Sequence, residues 1–132
     1  IYDFFEKNIK NKLKDKRIIL DPGIGFGKTL KHNLTLISKI SLFHSLGLPI
    51  LIGTSRKRFI NQISGVYDSK ERTGGTLASV IYLLSQGVQI FRVHNVKEVK
   101  QGILVFKKIL KRKRKISILE LMVLEGQLIK AI

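Results

Sequence analysis

Residues 18–28 read Ile18-Ile19-Leu20-Asp21-Pro22-Gly23-Ile24-Gly25-Phe26-Gly27-Lys28, and this stretch decides the fold. A short apolar β-type segment ends on a carboxylate and opens at once into a glycine-rich loop. A helical period begins near Leu30. In an α/β fold this puts an acid at the C-terminal end of a strand, where open parallel sheets and barrels keep their chemistry. Glycine lets the backbone turn tightly and approach a ligand that side chains would hold off. Two nucleotide-binding patterns fail on spacing. Gly23-x-x-x-Gly27-Lys28-Thr29 is one residue short of a P-loop, and Pro22 stands where that motif has its first glycine. Gly23-x-Gly25-x-Gly27 also misses the dinucleotide fingerprint, whose third glycine lies three residues after the second. A ligand loop and a plain strand-to-helix turn both remain open on this stretch alone.

Two further strand ends bear on the choice. Pro49-Ile50-Leu51-Ile52-Gly53 reads as a buried strand followed by Thr54-Ser55-Arg56-Lys57-Arg58, and Val88 to Val93 as another that ends at His94. Strand alternation sends Ile90, Arg92 and His94 to one face, with Phe91 and Val93 on the other. An arginine in a plain core needs a partner for its charge. At the mouth of a barrel, Arg92 and His94 instead make an anion site. Thirty-two residues separate Asp21 from Gly53 and 41 separate Gly53 from His94, which suits a repeated strand-helix-strand unit.

The intervening segments read as helices. Leu30–Leu46 places Leu34, Ile37, Leu42 and Leu46 on an apolar period, with Gly47 as C-terminal cap before Pro49. Leu77–Leu84 is followed by Gly87, and Val96–Leu110 carries Val99, Ile103, Phe106 and Leu110 on one stripe. Continuously apolar strands of this kind predict a parallel sheet covered on both faces.

Four motifs, LDPGIGFGK, LIGTSRKRFI, ERTGGTLAS and FRVHNV, occur here in order over roughly residues 10–108. In that order and spacing they resemble the dihydropteroate synthase family of pterin-binding enzymes. The resemblance implies an α/β fold, a TIM-type (β/α)8 barrel, of which this chain holds the C-terminal part, strands six to eight and their helices. It also implies a transferase of folate biosynthesis. Such an enzyme condenses 6-hydroxymethyl-7,8-dihydropterin pyrophosphate with p-aminobenzoate, giving 7,8-dihydropteroate and pyrophosphate. No covalent nucleophile is needed, so catalysis is positioning plus stabilisation of the leaving anion.

Carried over position by position, Asp21 resembles the family's buried pterin-binding aspartate, a carboxylate that accepts two N–H bonds from the pterin edge. Phe26 resembles an aromatic wall of the pterin pocket. Gly53 and Lys57 match positions beside the pterin, with Lys57 donating to ring acceptors. Ser55 and Arg56 lie on the p-aminobenzoate side, where a hydroxyl and helix N–H groups suit a carboxylate. Arg92 and His94 match the pair that holds pyrophosphate, and Arg92 can also stack on the pterin plane. Lys57, Arg92 and His94 are thus the expected catalytic residues. Mg²⁺ is implied as cofactor, but its asparagine ligand belongs to the missing N-terminal strands, so no metal ligand is expected in this chain.

A TIM barrel takes about 250 residues, and this chain has 132, beginning with Ile1. The expectation is a C-terminal fragment or the product of a broken gene, inactive alone, whose parent is the enzyme. Residues 1–14, with Phe4, Phe5, Ile9 and Leu13, read as the end of the helix before strand six. Residues 1–110 are then the partial pterin-binding domain, and 111–132 a basic run and non-family tail without function. Back-translated with suitable codons, Leu119–Lys130 spells FGTDGIRGTAN in a neighbouring frame, which resembles the start of a phosphoglucosamine mutase. The tail is therefore expected to overlap an adjacent gene. A separate N-terminal half, or a homodimer through the last barrel helices, are the partners the resemblance suggests.

Composition supplies bounds. Twenty-five Lys and Arg against 9 Asp and Glu give a formal net charge of +16, concentrated in residues 107–115. No nucleic-acid motif or aromatic platform accompanies the charge, so a solvated basic surface is the better reading. The absence of cysteine excludes disulfides and thiol catalysis, and His32, His44 and His94 are too scattered for a metal set. No apolar run reaches the roughly 18 residues of a membrane span, and the cytoplasm is the default compartment. Two alternatives stand beside the synthase: a related pterin-binding methyltransferase fragment, and a non-catalytic basic remnant that binds polyanions.

Overall fold

The three apolar segments expected as strands lie side by side and run parallel. A computed structural model, which describes residues 1–12 and 18–115, bridges Leu20 to Ile50. It pairs β1 (Leu51–Ile52) with β2 (Ile90–Phe91) in the register Leu51 to Ile90 and Ile52 to Phe91. Leu20 N–H donates to Pro49 O at 2.9 Å, and Leu51 N–H returns to Leu20 O at 2.8 Å. On the other side Ile90 N–H donates to Ile50 O at 3.2 Å and Arg92 N–H to Ile52 O at 3.0 Å. This slanted ladder is the parallel pattern. Because all three segments point the same way, Asp21, Gly53 and Arg92 leave the sheet at the same edge.

Five α-helices are described: α1 (Tyr2–Lys12), α2 (Leu30–Ser38), α3 (Arg58–Ser64), α4 (Thr73–Ser85) and α5 (Val96–Lys115). Thr29 caps α2, its hydroxyl accepting the His32 N–H at 3.2 Å. The single helix expected over Leu30–Leu46 does not form. It breaks at Lys39 and continues as a 3₁₀ helix over Ile40–Leu46, which ends at Gly47 in the left-handed region. The tighter winding turns a different face inward. Ile37, Ile40 and Phe43 are buried, whereas Leu34 and Leu42 are exposed. The short helix α3 was not foreseen, and α4 starts four residues before its expected first residue, Leu77.

Ile24, Ile40, Ile50, Ile52, Leu83 and Val88 form the centre of the core with Phe43, Phe59 and Ile60. Fully burying each such side chain stabilises the fold by about 1.5–3 kcal/mol. Coverage of the sheet is uneven. Ile50 and Ile52 are fully buried, but Leu51, Ile90 and Phe91 are only half-buried, so the expected two-sided cover is complete on one face alone. From α1, Tyr2 and Phe5 meet the Phe43 ring edge-on at 5.8 and 6.1 Å between centroids. Phe4, expected with them, is exposed, and Leu13 lies outside the described residues.

The chain divides into two units, residues 1–99 and 100–132. The first holds the sheet, α1 to α4 and the start of α5. The described part of the second is the remainder of α5, where Ile103, Phe106 and Leu110 are half-buried as their stripe predicts and Leu104, Val105 and Ile109 are exposed. The expected domain boundary after residue 110 falls within this continuous helix. The apolar tail 116–132 lies outside the described residues. No helix among the described residues is long and apolar enough to cross a membrane.

Helices α3 and α4 cross where only glycine fits. A Cβ on Gly75 would stand 2.3 Å from Ile60 Cγ2. Gly75→Ala should therefore destabilise by about 1–2 kcal/mol net, since overpacking exceeds the roughly 1 kcal/mol alanine gains as a helix former. A urea-unfolding midpoint no lower than that of the parent chain would show that the crossing relaxes freely.

Candidate active site

The first strand end is built around Asp21. Its Oδ1 accepts the Gly23 N–H at 2.9 Å, an Asx turn that starts the glycine loop. Gly25 sits at φ +83°, a conformation that side chains resist. Its N–H donates to Oδ1 of Asn33 at 2.8 Å, and Asn33 is a buried residue of α2. Lys28 folds back so that Nζ donates to Gly23 O at 2.7 Å and Phe26 O at 3.0 Å. Ile24 is buried beneath the loop and anchors it to the core. Phe26 is left standing outward, 60% exposed.

The second strand end is held by α4. Arg56 adopts φ +59° although it is not glycine, a conformation that persists only where its surroundings enforce it. The Arg56 N–H donates to Thr76 Oγ1 at 3.1 Å, and its carbonyl accepts Arg72 Nη1 at 2.9 Å. Arg72 also donates to the carbonyls of Val66 and Tyr67, so one guanidinium ties the loop before α4 to the turn after β1. The tight turn brings Ser55 inward, where it is buried, and lays Lys57 over the glycine loop. Lys57 Nζ lies 3.9 Å from the centroid of the Phe26 ring, a cation–π contact. A Cβ on Gly25 would fall 2.9 Å from Lys57 Cδ, so the lysine can lie there only because residue 25 is glycine.

The third strand end closes the site. Arg92 passes over Gly53, where a Cβ would come within 3.2 Å of its guanidinium. Its Nη2 stands 3.5 Å from Asp21 Oδ2. Both side chains are solvent-accessible (62% for Arg92 and 35% for Asp21), so this pair contributes little to stability. His94 meets Ser55 twice: its backbone N–H donates to Ser55 Oγ at 3.1 Å, and Nδ1 lies 2.9 Å from the same oxygen.

Phe26, Gly53, Ser55, Lys57, Arg92, Val93 and His94 enclose a cavity of about 480 Å³. Six of these seven were expected from the sequence, and they come from three separate strand ends. Asp21 joins them through Arg92. Arg56 is not part of the lining, since its guanidinium donates to Asn95 Oδ1 at 3.2 Å. Asp21 was expected to be buried and is not, because its strand pairs only with β1 and forms one edge of the described sheet. Two other cavities lack this convergence: an apolar one of about 390 Å³ beside Tyr2 and Phe43, and one of about 820 Å³ beside Arg58 and Asp68.

Asn33, Arg72 and Thr76 were missed by the sequence reading. Each holds a backbone group of a site loop from a neighbouring element, and only ERTGGT, read as a family motif, hinted at the last two. Among the described residues no three His, Asp or Glu side chains lie together as a metal set. Asp21, the carboxylate at this site, already bonds Gly23 and Arg92. The described residues thus assemble no ligand set of their own for the magnesium ion that the resemblance implies.

The fold thus gathers a carboxylate paired with Arg92, a second cation and a histidine at the C-terminal edge of a parallel sheet. Comparison with known proteins identifies its family. The family model described as pterin binding enzyme matches residues 6–94, and the chain belongs to that family. It is 47% identical over 83 residues to the dihydropteroate synthase of Escherichia coli K12, an alignment covering 63% of this chain and 29% of that protein. Its fold is similar to that of dihydropteroate synthase from Thermus thermophilus, a TIM-barrel enzyme. In complex with 4-aminobenzoate that structure shows a TM-score of 0.68 and 40% identity, covering 70% of this chain and 36% of the other. In complex with 6HMPPP the TM-score is 0.69 and the identity 39%, over 71% and 38% of the two chains. The chain thus spans under a third of the length of the E. coli relative.

Thr76 is fully buried and its hydroxyl accepts the Arg56 N–H. Thr76→Val keeps the shape and leaves that N–H without its acceptor, so a loss of about 1–3 kcal/mol is expected. Denaturant unfolding of the variant measures it. A change within error of zero would mean that the left-handed turn at Arg56 does not depend on the Thr76 hydroxyl.

Proposed function

We propose that this chain carries strands six to eight of a dihydropteroate synthase barrel and, with them, the pterin and pyrophosphate contacts of that enzyme. The observation that carries the reading is the convergence of Lys57, Arg92 and His94 around Gly53, with Asp21 on the far side of Arg92. The relatives crystallised with 4-aminobenzoate and with 6HMPPP support both substrate classes.

In this reading Asp21 accepts the 2-amino and ring N–H groups of the pterin. It exchanges the exposed Arg92 contact for a charge-assisted pair. Phe26 and the Lys57 stem wall the ring, and Gly53 leaves room for its plane. The nitrogen of p-aminobenzoate, arriving on the side of Ser55 and Arg56, attacks the methylene carbon. A C–N bond forms as the C–O bond to pyrophosphate breaks, and the amine gives up a proton. Arg92 and His94 hold the departing anion, and Lys57 adds a second positive charge, so the developing negative charge meets preorganised donors.

Three strands do not enclose a barrel of eight. The chain alone is accordingly proposed to be inactive, and activity to require the remaining strands. The basic stretch 107–115 favours a second, weaker property, salt-sensitive binding of polyanions.

Calorimetric titration with a pterin pyrophosphate analogue, with and without an N-terminal half barrel, tests the proposal. Binding by the chain alone would place a working pterin site on these strands. Binding only with the added half would indicate a split enzyme, and no binding in either case would overturn the reading. Where binding occurs, Arg92→Ala should weaken it by about tenfold or more, the effect of losing a hydrogen bond to a charged group. Undiminished affinity would remove Arg92 from the anion site.

A further inference from the structure

Ser55 stands apart from the other cavity residues, because its hydroxyl is spent on a protein partner. It is 5% exposed, and Oγ has two contacts, both to His94: the backbone N–H at 3.1 Å and ring Nδ1 at 2.9 Å. A serine hydroxyl has one proton to give and lone pairs to accept with. The His94 backbone N–H can only donate, so Oγ accepts there. If Nδ1 also carried a proton, Oγ would accept twice. Its own hydrogen would then point at no acceptor among the described residues. The arrangement that satisfies every group has Ser55 O–H donating to Nδ1. The neutral His94 ring must then hold its proton on Nε2.

We infer that Ser55 is a positioning residue that sets the tautomer of His94, fixing an Nε2–H donor toward the anion held by Arg92, rather than a ligand of p-aminobenzoate. The inference deepens the proposed function and rests on its anion site. His94 lines the cavity with Arg92 and Lys57, and Nε2 has no protein partner among the described residues. An N–H there complements a phosphate oxygen, whereas a bare nitrogen lone pair would repel it. The second nitrogen of an imidazole decides which face the first presents. The backbone supports the same geometry: Thr54 is buried and its Oγ1 accepts from Ser79 at 2.7 Å, while Thr76 holds the following peptide N–H. Ser55 is thereby seated by the buried residues on either side of its turn.

Imidazole nitrogen-15 spectra of the full chain, recorded near pH 8 and assigned with His94→Gln, test this directly. His94 is expected to show Nε2 protonated and Nδ1 as a hydrogen-bond acceptor. Ser55→Ala should lower the Nε2–H to Nδ1–H ratio about fivefold, the equivalent of one neutral hydrogen bond. Ser55→Thr, which keeps the hydroxyl, should restore it. An Nδ1–H ring in the parent chain, or an unchanged ratio in Ser55→Ala, would overturn the inference. Should Ser55→Ala fail to fold, the parent and Ser55→Thr spectra still decide the tautomer. Titration of the parent chain with inorganic pyrophosphate separates the two claims. A shift confined to Nε2 supports both, while no response to pyrophosphate would sink the anion site and leave the tautomer to be judged from the other spectra.

Discussion

The site depends on one constraint, the parallel ladder that runs from Leu20 through β1 to β2. Parallel pairing aligns the C-terminal ends of all three strands, so residues 71 positions apart in sequence, Asp21 and Arg92, come within 3.5 Å. The Arg92 N–H to Ile52 O bond belongs both to this ladder and to the site. A slip of one residue would turn Arg92 away from Gly53 and carry His94 away from Ser55. Burial of Ile50 and Ile52 fixes that register, because the slip would bring them out of the core.

On this frame the loops are held from the helices. Asn33 of α2 takes the Gly25 N–H, and Thr76 of α4 with Arg72 at its N-cap takes both backbone groups of Arg56. These loops run in conformations that β-sheet and helix do not supply, and their peptide groups need partners. A buried side chain from a neighbouring helix is a rigid partner. The resulting cavity is polar and cationic at its centre, with an aromatic wall that meets Lys57 and not the core. In the proposed function this arrangement receives the anion with little reorganisation.

The strands and the site lining were largely legible in the sequence. Apolar runs ending on Asp21, Gly53 and Arg92 carry their own signal, and the quoted motifs contain the residues that line the cavity. The break of the 30–46 helix at Lys39 was not legible, because an apolar period near three and one near four share several positions over so short a stretch. Helix α3 was missed because SRKRFI reads as charge after a strand, and its buried face is two residues, Phe59 and Ile60.

The sequence by itself determined the order of the three strand segments, the parallel α/β class and the identities of the groups that carry charge to the site, since hydrophobic period and glycine spacing act locally along the chain. Only the tertiary structure decided that Arg56 turns to Asn95, that Asp21 stands exposed at a sheet edge, and that Ser55 bonds His94. Those outcomes depend on which backbone group or side chain lies within hydrogen-bond reach of a residue 39 or more positions away in the chain. No local pattern encodes such distances, because they are set by how the helices seat against the sheet.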